Sequence, residues 1–125
     1  MEKSLILRPK KGEETFKRLL EMDEGAPYLG EVILVPHSSP ISQSSILFYN
    51  TLFDENASCH ITLGAANLTN MKGGANMNQK QLKESGLNTS ILHVDFMICS
   101  SEMNIDGVLE DGSREAEFRY GECAW

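Results

Sequence analysis

The apolar run Ile91–Ser100, ILHVDFMICS, predicts a β-strand that carries a histidine and an aspartate among its hydrophobic residues. In an extended chain, residues i and i+2 project from the same face. His93 and Asp95 are therefore expected to project together, while the apolar residues that alternate with them pack on the other face. Such a strand either holds the pair as a hydrogen-bonded dyad in the core or presents it to a cleft, where it binds a ligand.

The first half of the chain predicts a helix, a strand and a second helix. Gly12–Asp23 has acidic residues early, basic residues later and an apolar face, which is the pattern of an amphipathic helix. Tyr28–Pro36 is apolar on both faces apart from Glu31, which indicates an interior strand of a covered sheet. Ser39–Pro40 supplies an N-cap and a first-turn proline for a helix expected over Ile41–Phe53.

The second half predicts short elements that are separated by turns. A short strand is expected around His60–Leu63, an irregular loop over Asn67–Asn78, and a polar helix that ends at Gly86. The EDGS turn signal lies between Ile105–Leu109 and Ala116–Tyr120, so these segments predict a hairpin. Helices and strands alternate without a regular βαβ order. We therefore predict an α+β fold, with a mixed β-sheet packed against a few helices in a single domain.

Composition limits the class of partner. The 125 residues suit one domain, and the net charge of −7 disfavours nucleic acid or an anionic membrane as the main partner. No segment approaches the length of a transmembrane helix. The three cysteines are widely spaced and odd in number, which indicates reduced thiols in a cytoplasmic protein rather than a disulfide framework or a zinc pair.

Five ligand-type residues lie in or beside apolar segments, and together they suggest a metal site. Any one of them alone is more often a salt-bridged or structural residue. Burying several unpaired ionisable groups is costly, and a shared cation removes that cost. Carboxylates and imidazoles bind zinc, cobalt and manganese, and a pair of metals needs at least one bridging carboxylate. The five residues are Glu31, Glu55, His60, His93 and Asp95.

Three strings in the sequence resemble a known family. GEVILVPHSSPISQSSILFYNTLFDENASCH, HVDFMI and EMNIDGV are similar to the carboxy-terminal part of the thermophilic-type metalloaminopeptidases, the family of aminopeptidases T and S. The resemblance extends from about Gly12 to Gly121. It implies that residues 1–125 form the carboxy-terminal metal-binding domain of such an enzyme, with the amino-terminal domain absent. It also implies that the five residues above bind two divalent ions, either zinc, cobalt or manganese.

The activity that the resemblance implies is hydrolysis of the amino-terminal peptide bond by a water activated between two metals. Glu31 is the expected shared ligand and a catalytic residue. Where the family reads GRAY, this chain reads GAAN, so that Asn67 replaces a tyrosine that is expected to stabilise the oxyanion. Loss of one such donor costs about two to three orders of magnitude in rate. A further glutamate ligand of the family lies upstream of the matched segment.

Two functions follow from the resemblance. The first is an aminopeptidase domain that acts on peptides with a free amino terminus. The alternative is a degenerate, non-catalytic relative or fragment that serves as a metal-binding or assembly domain. In either case we expect a homodimer or other self-association, because a surface that the amino-terminal half covers in the family would be exposed here.

Overall fold

The computed structural model describes residues 10–125, which divide into two compact units. Unit 1 contains the described residues up to Val32 together with Ile61–Phe96, and unit 2 contains Ile33–His60 and Met97–Trp125. The predicted α+β class is confirmed. The helices are α1 (Glu13–Leu20), α2 (Pro40–Ser44), α3 (Thr51–Asp54) and α4 (Gln79–Glu84), and the strands are β1 (Leu29–Ile33), β2 (His60–Gly64), β3 (His93–Met97), β4 (Ile105–Val108), β5 (Arg114–Arg119) and β6 (Glu122–Cys123).

The strands form two three-stranded antiparallel sheets, in the orders β1-β2-β3 and β4-β5-β6, where we expected one mixed sheet. Strand β2 is central in the first sheet, and its residues Thr62 and Leu63 are buried. Strand β1 lies at the edge, so the prediction of an interior strand is wrong. Val32 on β1 is 61% exposed. Apolar residues on both faces indicate a covered strand only where another layer packs on each face, and the sequence of one strand does not reveal that layer.

Helix α1 has the predicted amphipathic character but ends at Leu20, earlier than expected. Its Phe16 ring packs edge-on against the Phe96 ring of β3, with the ring centroids 5.9 Å apart. The helix stops before Asp23 because that side chain caps the following turn, where its Oδ1 accepts hydrogen bonds from the backbone N–H groups of Gly25 and Ala26 at 2.8 and 2.9 Å. A side chain that binds nearby backbone donors competes with helix continuation.

The second oxygen of Asp23 ties this turn to the segment that leads into β3. Its Oδ2 accepts a hydrogen bond of 2.7 Å from the Ile91 backbone N–H and one of 3.0 Å from the Ser90 hydroxyl. The buried Asn88 side chain adds a parallel link, because its Nδ2 donates to the carbonyls of Gly25 and Tyr28 at 2.9 and 3.2 Å. These bonds join two parts of unit 1 that are far apart in sequence.

Replacing Asp23 with asparagine is expected to lower the free energy of unfolding at pH 7 by about 1–3 kcal/mol, because the amide NH₂ cannot accept the two donors that face Oδ2. The hydrogen bonds, chiefly that from Ile91, lower the pKa of Asp23. A lowered pKa in the folded state gives stability that is present above the unfolded pKa of about 3.9 and is lost as pH falls through the folded value. Urea unfolding between pH 7 and pH 2 should therefore show a weaker acid dependence in Asp23→Asn.

The matched control for this prediction is Asp111→Asn. The Asp111 carboxylate also has a lowered pKa, but its hydrogen bonds come from Ser113 in the same exposed turn. We expect this control to change the unfolding free energy much less. Equal losses in both variants would show that Asp23 does not join the two segments energetically.

The hairpin of unit 2 confirms its prediction. Strands β4 and β5 pair antiparallel, with Ile105 opposite Phe118 and Val108 opposite Arg114. The unpredicted strand β6 extends this sheet by pairing with β5, and it places Cys123 opposite Phe118. Phe118 is buried, and its ring lies edge-on to that of Trp125 at a centroid distance of 6.3 Å. Strand β6 was not predicted because a strand of two residues is too short to produce a periodic sequence pattern.

The helix predicted over Ile41–Phe53 is interrupted, and this prediction is wrong. The N-cap is as predicted, since the Ser42 N–H donates to the Ser39 hydroxyl at 3.3 Å, but α2 ends at Ser44. The carboxylate of Asp54 then accepts hydrogen bonds from the backbone N–H groups of Phe48 and Asn50 at 2.8 and 3.0 Å. These bonds fix a loop in place of a helical turn. None of the described helices has the length and apolar character needed to cross a membrane.

Candidate metal centre

His93 and Asp95 lie side by side on β3, as the alternation of the strand predicted. The His93 Nε2 atom is 3.5 Å from the Asp95 Oδ1 atom. The histidine side chain is 42% exposed and that of the aspartate is 10% exposed. The pair is therefore reachable from solvent on the histidine side, and it is anchored in unit 1 on the aspartate side.

Hydrogen bonds to the neighbouring chain orient both side chains. The His93 Nδ1 atom lies 2.9 Å from the Ala65 carbonyl oxygen. A carbonyl only accepts, so Nδ1 donates to it, and in the neutral ring Nε2 then carries the lone pair on the side of Asp95. The Asp95 Oδ1 atom accepts a hydrogen bond of 2.5 Å from the Thr62 hydroxyl. Metal-binding histidines and carboxylates are held by this kind of outer hydrogen bond.

Glu31 on β1 has a carboxylate oxygen that lacks a partner. Its Oε1 atom is shielded from solvent, and it has no hydrogen-bond partner among residues 10–125. A buried acceptor without a donor costs free energy, and a carboxylate oxygen costs more than a neutral one. A water or an ion can satisfy such an atom, and a cation matches its charge. The Glu31 carboxylate thus has the charge and the free acceptor atom expected of a metal ligand.

The two remaining candidate ligands belong to unit 2. Glu55 is half-buried at the start of a short 3-10 helix, Glu55–Ala57. His60 is 3% exposed, and its Nδ1 atom lies 3.0 Å from the Ser58 carbonyl oxygen. This contact again assigns the proton to Nδ1 and leaves Nε2 as the free donor atom. Both candidate histidines therefore have the tautomer that a ligand needs at Nε2.

The structure brings His93 and Asp95 together on β3 of unit 1, and the convergence of all five candidates on one centre stays a prediction. In the part of the chain that is described, no three His, Cys, Asp or Glu side chains form a group that could hold a metal ion. The five donors fit a divalent cation by chemical type. The spacing of ligands in a sequence gives their order along the chain and not their separation in space.

Asn67, the residue in the place of the family's tyrosine, is used as a cap. Its Oδ1 atom accepts hydrogen bonds from the Thr69 backbone N–H and hydroxyl at 3.0 and 2.8 Å. It begins the 3-10 helix Leu68–Asn70 inside the loop predicted over Asn67–Asn78, and a second 3-10 helix, Gly74–Asn76, follows. A role for Asn67 in stabilising an oxyanion stays a prediction.

Thr62 lies beside the candidate ligand Asp95 and is absent from the set of five that was predicted. It is fully buried on the central strand β2, and its hydroxyl donates to Asp95. A signal for it is present, because Thr62 lies two residues after His60 and so faces the same side of a strand. The pairing of Thr62 with Asp95 depends on the register between two strands, which no local pattern contains.

Replacing Thr62 with valine is expected to weaken binding of a divalent metal by about 10- to 100-fold, because Asp95 loses the donor that orients it. Isothermal titration with cobalt measures the dissociation constant. Thr89→Val is the control, since it makes the same change at a half-buried residue of unit 1 outside the candidate set. Equal affinity of Thr62→Val and the unmodified chain would remove Thr62 from the site.

Comparison with known proteins identifies the family to which the sequence is similar. A family model described as thermophilic metalloprotease (M29) matches residues 7–123. Aminopeptidase AmpS of Bacillus subtilis is 58% identical over 119 residues, which are 95% of this chain and 29% of that protein. Aminopeptidase 2 of Geobacillus stearothermophilus is 56% identical over 114 residues, which are 91% of this chain and 28% of that protein.

A solved structure, wild-type AmpT from Thermus thermophilus, has the same fold over the matched region. It superposes with a TM-score of 0.79 at 46% sequence identity, covering 93% of this chain and 28% of that one. The chain thus spans less than a third of the length of the curated relatives that it matches.

Proposed function

The chain belongs to the thermophilic metalloprotease family M29, and from that premise we propose that it supplies metal ligands to the active site of a divalent-metal-dependent aminopeptidase. The names of its relatives support the reaction class, since they are aminopeptidases. The observation that carries the proposal is the pair formed by His93 and Asp95, in which Nε2 of the histidine lies 3.5 Å from Oδ1 of the aspartate and Nδ1 is held by the Ala65 carbonyl.

We assign the ligand roles as follows. His93 and Asp95 would hold a divalent ion, with Glu31 as the proposed shared ligand and Glu55 and His60 as further ligands. A bound divalent ion supplies a Lewis acid and lowers the pKa of a water that it holds. The Ala65 carbonyl keeps the ring proton of His93 on Nδ1, and the Thr62 hydroxyl holds Asp95 in place. Glu31 is the carboxylate best placed to accept a proton as well, because its Oε1 atom is not occupied within the described chain.

The expected substrates are peptides with a free amino terminus. The expected cofactors are two divalent ions of zinc, cobalt or manganese. The net charge of −7 supports peptides over nucleic acid as the partner. We place the protein in the cytoplasm, in keeping with its unpaired cysteines.

The alternative is a metal-binding or assembly domain without turnover. The observation in its favour is that the Asn67 Oδ1 atom accepts two hydrogen bonds from Thr69, which hold this side chain at the start of a 3-10 helix. An asparagine is also shorter than the tyrosine that it replaces. A site without this donor loses about two to three orders of magnitude in rate.

One experiment separates the two functions. The chain is loaded with cobalt or zinc, its metal content is measured by mass spectrometry, and hydrolysis of leucine p-nitroanilide is followed. Bound metal with turnover supports the aminopeptidase, and bound metal without turnover, unchanged in Asn67→Tyr, supports the alternative. A chain that binds neither ion overturns both.

We further propose that a second copy of the chain covers an exposed apolar segment of unit 2, Ile46–Phe53. Large exposed apolar patches are typical of protein interfaces. The Phe48 and Phe53 rings lie 5.5 Å apart, so part of the segment is already ordered as one surface. The six exposed side chains, which range from 41% to 90% exposure, are Ile46, Leu47, Phe48, Tyr49, Leu52 and Phe53.

Light scattering is expected to give the mass of a dimer or larger assembly for the unmodified chain. Leu52→Lys should shift the mass towards that of the monomer, because a charge at an interface core is costly to desolvate. Leu109→Lys, at the exposed end of the hairpin, is the control and should not change the mass. A clean monomer for the unmodified chain contradicts self-association.

A further inference from the structure

Strand β1 passes very close to the end of β2 at Gly30. A Cβ atom at this position would lie 2.4 Å from the carbonyl oxygens of Gly64 and Ala65, and 2.7 Å from the Ala65 carbonyl carbon. These distances are well below the separation of about 3.5 Å at which non-bonded heavy atoms attract each other. Gly30 does not have a positive φ. The glycine is therefore required by the space between the strands and not by its backbone conformation.

The two carbonyl groups that exclude a side chain are fixed by hydrogen bonds of their own peptide groups. In the peptide group before Ala65, the Ala65 N–H donates to the Leu92 carbonyl at 2.6 Å. In the peptide group after it, the Ala66 N–H donates to the Asn88 carbonyl at 2.9 Å. The N–H and C=O of one peptide group share a plane and rotate together. A side chain at Gly30 could therefore displace these carbonyls only by distorting the two hydrogen bonds.

The Ala65 carbonyl is also the acceptor that orients the ring of His93. Its oxygen lies 2.9 Å from Nδ1, and Nε2 lies 3.5 Å from the Asp95 Oδ1 atom. We propose that Gly30 is a positioning residue for the candidate ligand His93. Because Gly30 has no side chain, the Ala65 carbonyl can lie where it accepts the Nδ1 proton, and Nε2 keeps its lone pair for a metal. The effect on the ring follows from these distances, while the effect on a metal rests on the function proposed above.

Displacement of the Ala65 carbonyl matters because of the chemistry of the neutral imidazole ring. A neutral ring has one proton, which either nitrogen can carry. With the Ala65 carbonyl in place, that proton stays on Nδ1. If this acceptor moves away, the ring still faces the carboxylate of Asp95, which draws the proton to Nε2. A protonated Nε2 has no lone pair, so it cannot bind a metal until the proton is removed.

The test follows the ring proton of His93 in the absence of metal. The full chain is labelled with an NMR-active nitrogen isotope and treated with EDTA. Long-range proton–nitrogen correlation spectra are recorded at about pH 8, above the ordinary histidine pKa of about 6.5. These spectra distinguish protonated from unprotonated ring nitrogens, and His93→Gln identifies the His93 signals by their loss. We expect the proton on Nδ1 in the unmodified chain and on Nε2 in Gly30→Ala.

The matched control is Gly74→Ala. Gly74 also lacks a positive φ, and a Cβ atom there would lie 2.3 Å from the Leu68 carbonyl oxygen, so this variant has a similar overlap with a backbone carbonyl. The three atoms nearest to that Cβ position belong to Leu68 and Met71, away from the His93 ring. We expect the ring proton to stay on Nδ1 in this control. Trimethylamine N-oxide is added to every sample, because this osmolyte keeps a destabilised variant folded.

Three results would overturn the proposal. The first is a proton that stays on Nδ1 in Gly30→Ala, which would show that the ring does not respond to a side chain at this position. The second is a proton that lies on Nε2 in the unmodified chain, a result that does not depend on any variant. The third is an equal change in Gly74→Ala, which would show a general loosening of the fold.

A second arm measures the cobalt affinity of the same three chains by titration. Gly30→Ala is expected to bind cobalt about 10- to 100-fold more weakly than the unmodified chain, as loss of an outer hydrogen bond does, while Gly74→Ala keeps its affinity. A ring proton that moves without a change in affinity overturns the effect on the metal and not the positioning of His93. Absence of cobalt binding in all three chains counts against the proposed function, while the spectra still test the role of Gly30.

Discussion

Replacing Glu31 with methionine is expected to stabilise the metal-free protein and to abolish its stabilisation by a divalent metal. The Oε1 atom of Glu31 is shielded and has no partner in the described chain, so its removal recovers about 1–3 kcal/mol. Methionine has a similar length and no charge. A metal at a hundred times its dissociation constant adds about 2.7 kcal/mol to the unfolding free energy of a protein that binds it. Urea unfolding with EDTA and with excess cobalt measures both effects.

The opposite signs of the two effects make this variant informative. Replacing a residue that stabilises the fold lowers the free energy of unfolding. Replacing a residue that serves to bind a ligand raises the free energy of unfolding when that ligand is absent. The control is Glu122→Met, because the Glu122 carboxylate, also on a strand, accepts a hydrogen bond of 2.5 Å from the Ser38 hydroxyl. We expect Glu122→Met to destabilise slightly and to keep the response to metal. Loss of stability in metal-free Glu31→Met would identify Glu31 as a structural residue.

Replacing Gly64 with alanine is expected to cost about 3 kcal/mol or more in unfolding free energy. Gly64 has a φ of +94°, and a Cβ atom there would lie 2.1 Å from the Leu92 carbonyl oxygen. That oxygen accepts a hydrogen bond of 2.6 Å from the Ala65 N–H, so relief of the clash would break a link between β2 and the segment before β3. Because the Ala65 carbonyl orients His93, metal affinity should fall together with stability.

Gly73→Ala separates the clash from the backbone strain. Gly73 has a φ of +79°, close to that of Gly64, but a Cβ atom there meets nothing within 4 Å. The control therefore carries the strain of a left-handed residue, about 1–2 kcal/mol, without the steric overlap. Chemical denaturation of both variants gives the difference. Equal losses would show that the close approach at Gly64 does not contribute.

The part of the candidate site that sequence predicted is local. The common face of His93 and Asp95 follows from the period of a strand, and the structure confirms it. Two features of the site depend on how separate strands pair: the unpartnered Oε1 atom of Glu31 and the hydrogen bond from Thr62 to Asp95. The sequence of a single segment does not determine that pairing. The family resemblance supplied the set of ligands, and their convergence on a metal stays a prediction.

The fold shows the same division. Helix α1, the central strand β2 and the hairpin were predicted because each has its own periodic or turn signal. The helix over Ile41–Phe53 was overpredicted, since its apolar spacing was helical while Asp54 bound the backbone donors of the preceding loop. The edge position of β1 depends on the number of strands in the sheet. Side-chain caps and sheet order are therefore the features that local patterns missed.

The division of the chain between the two units has a consequence for biosynthesis. Each unit is built from two stretches of sequence, and the stretches alternate, with Ile33–His60 of unit 2 inserted between the parts of unit 1. Unit 1 therefore cannot close until the ribosome has released Ile61–Phe96, and unit 2 waits for Met97 and the residues that follow. Contacts between distant stretches must overcome a loop-closure entropy before they form, which slows folding. The strands of unit 1 therefore stay exposed on the nascent chain until Phe96 has left the ribosome, which is the interval in which unpaired strand edges are prone to aggregate.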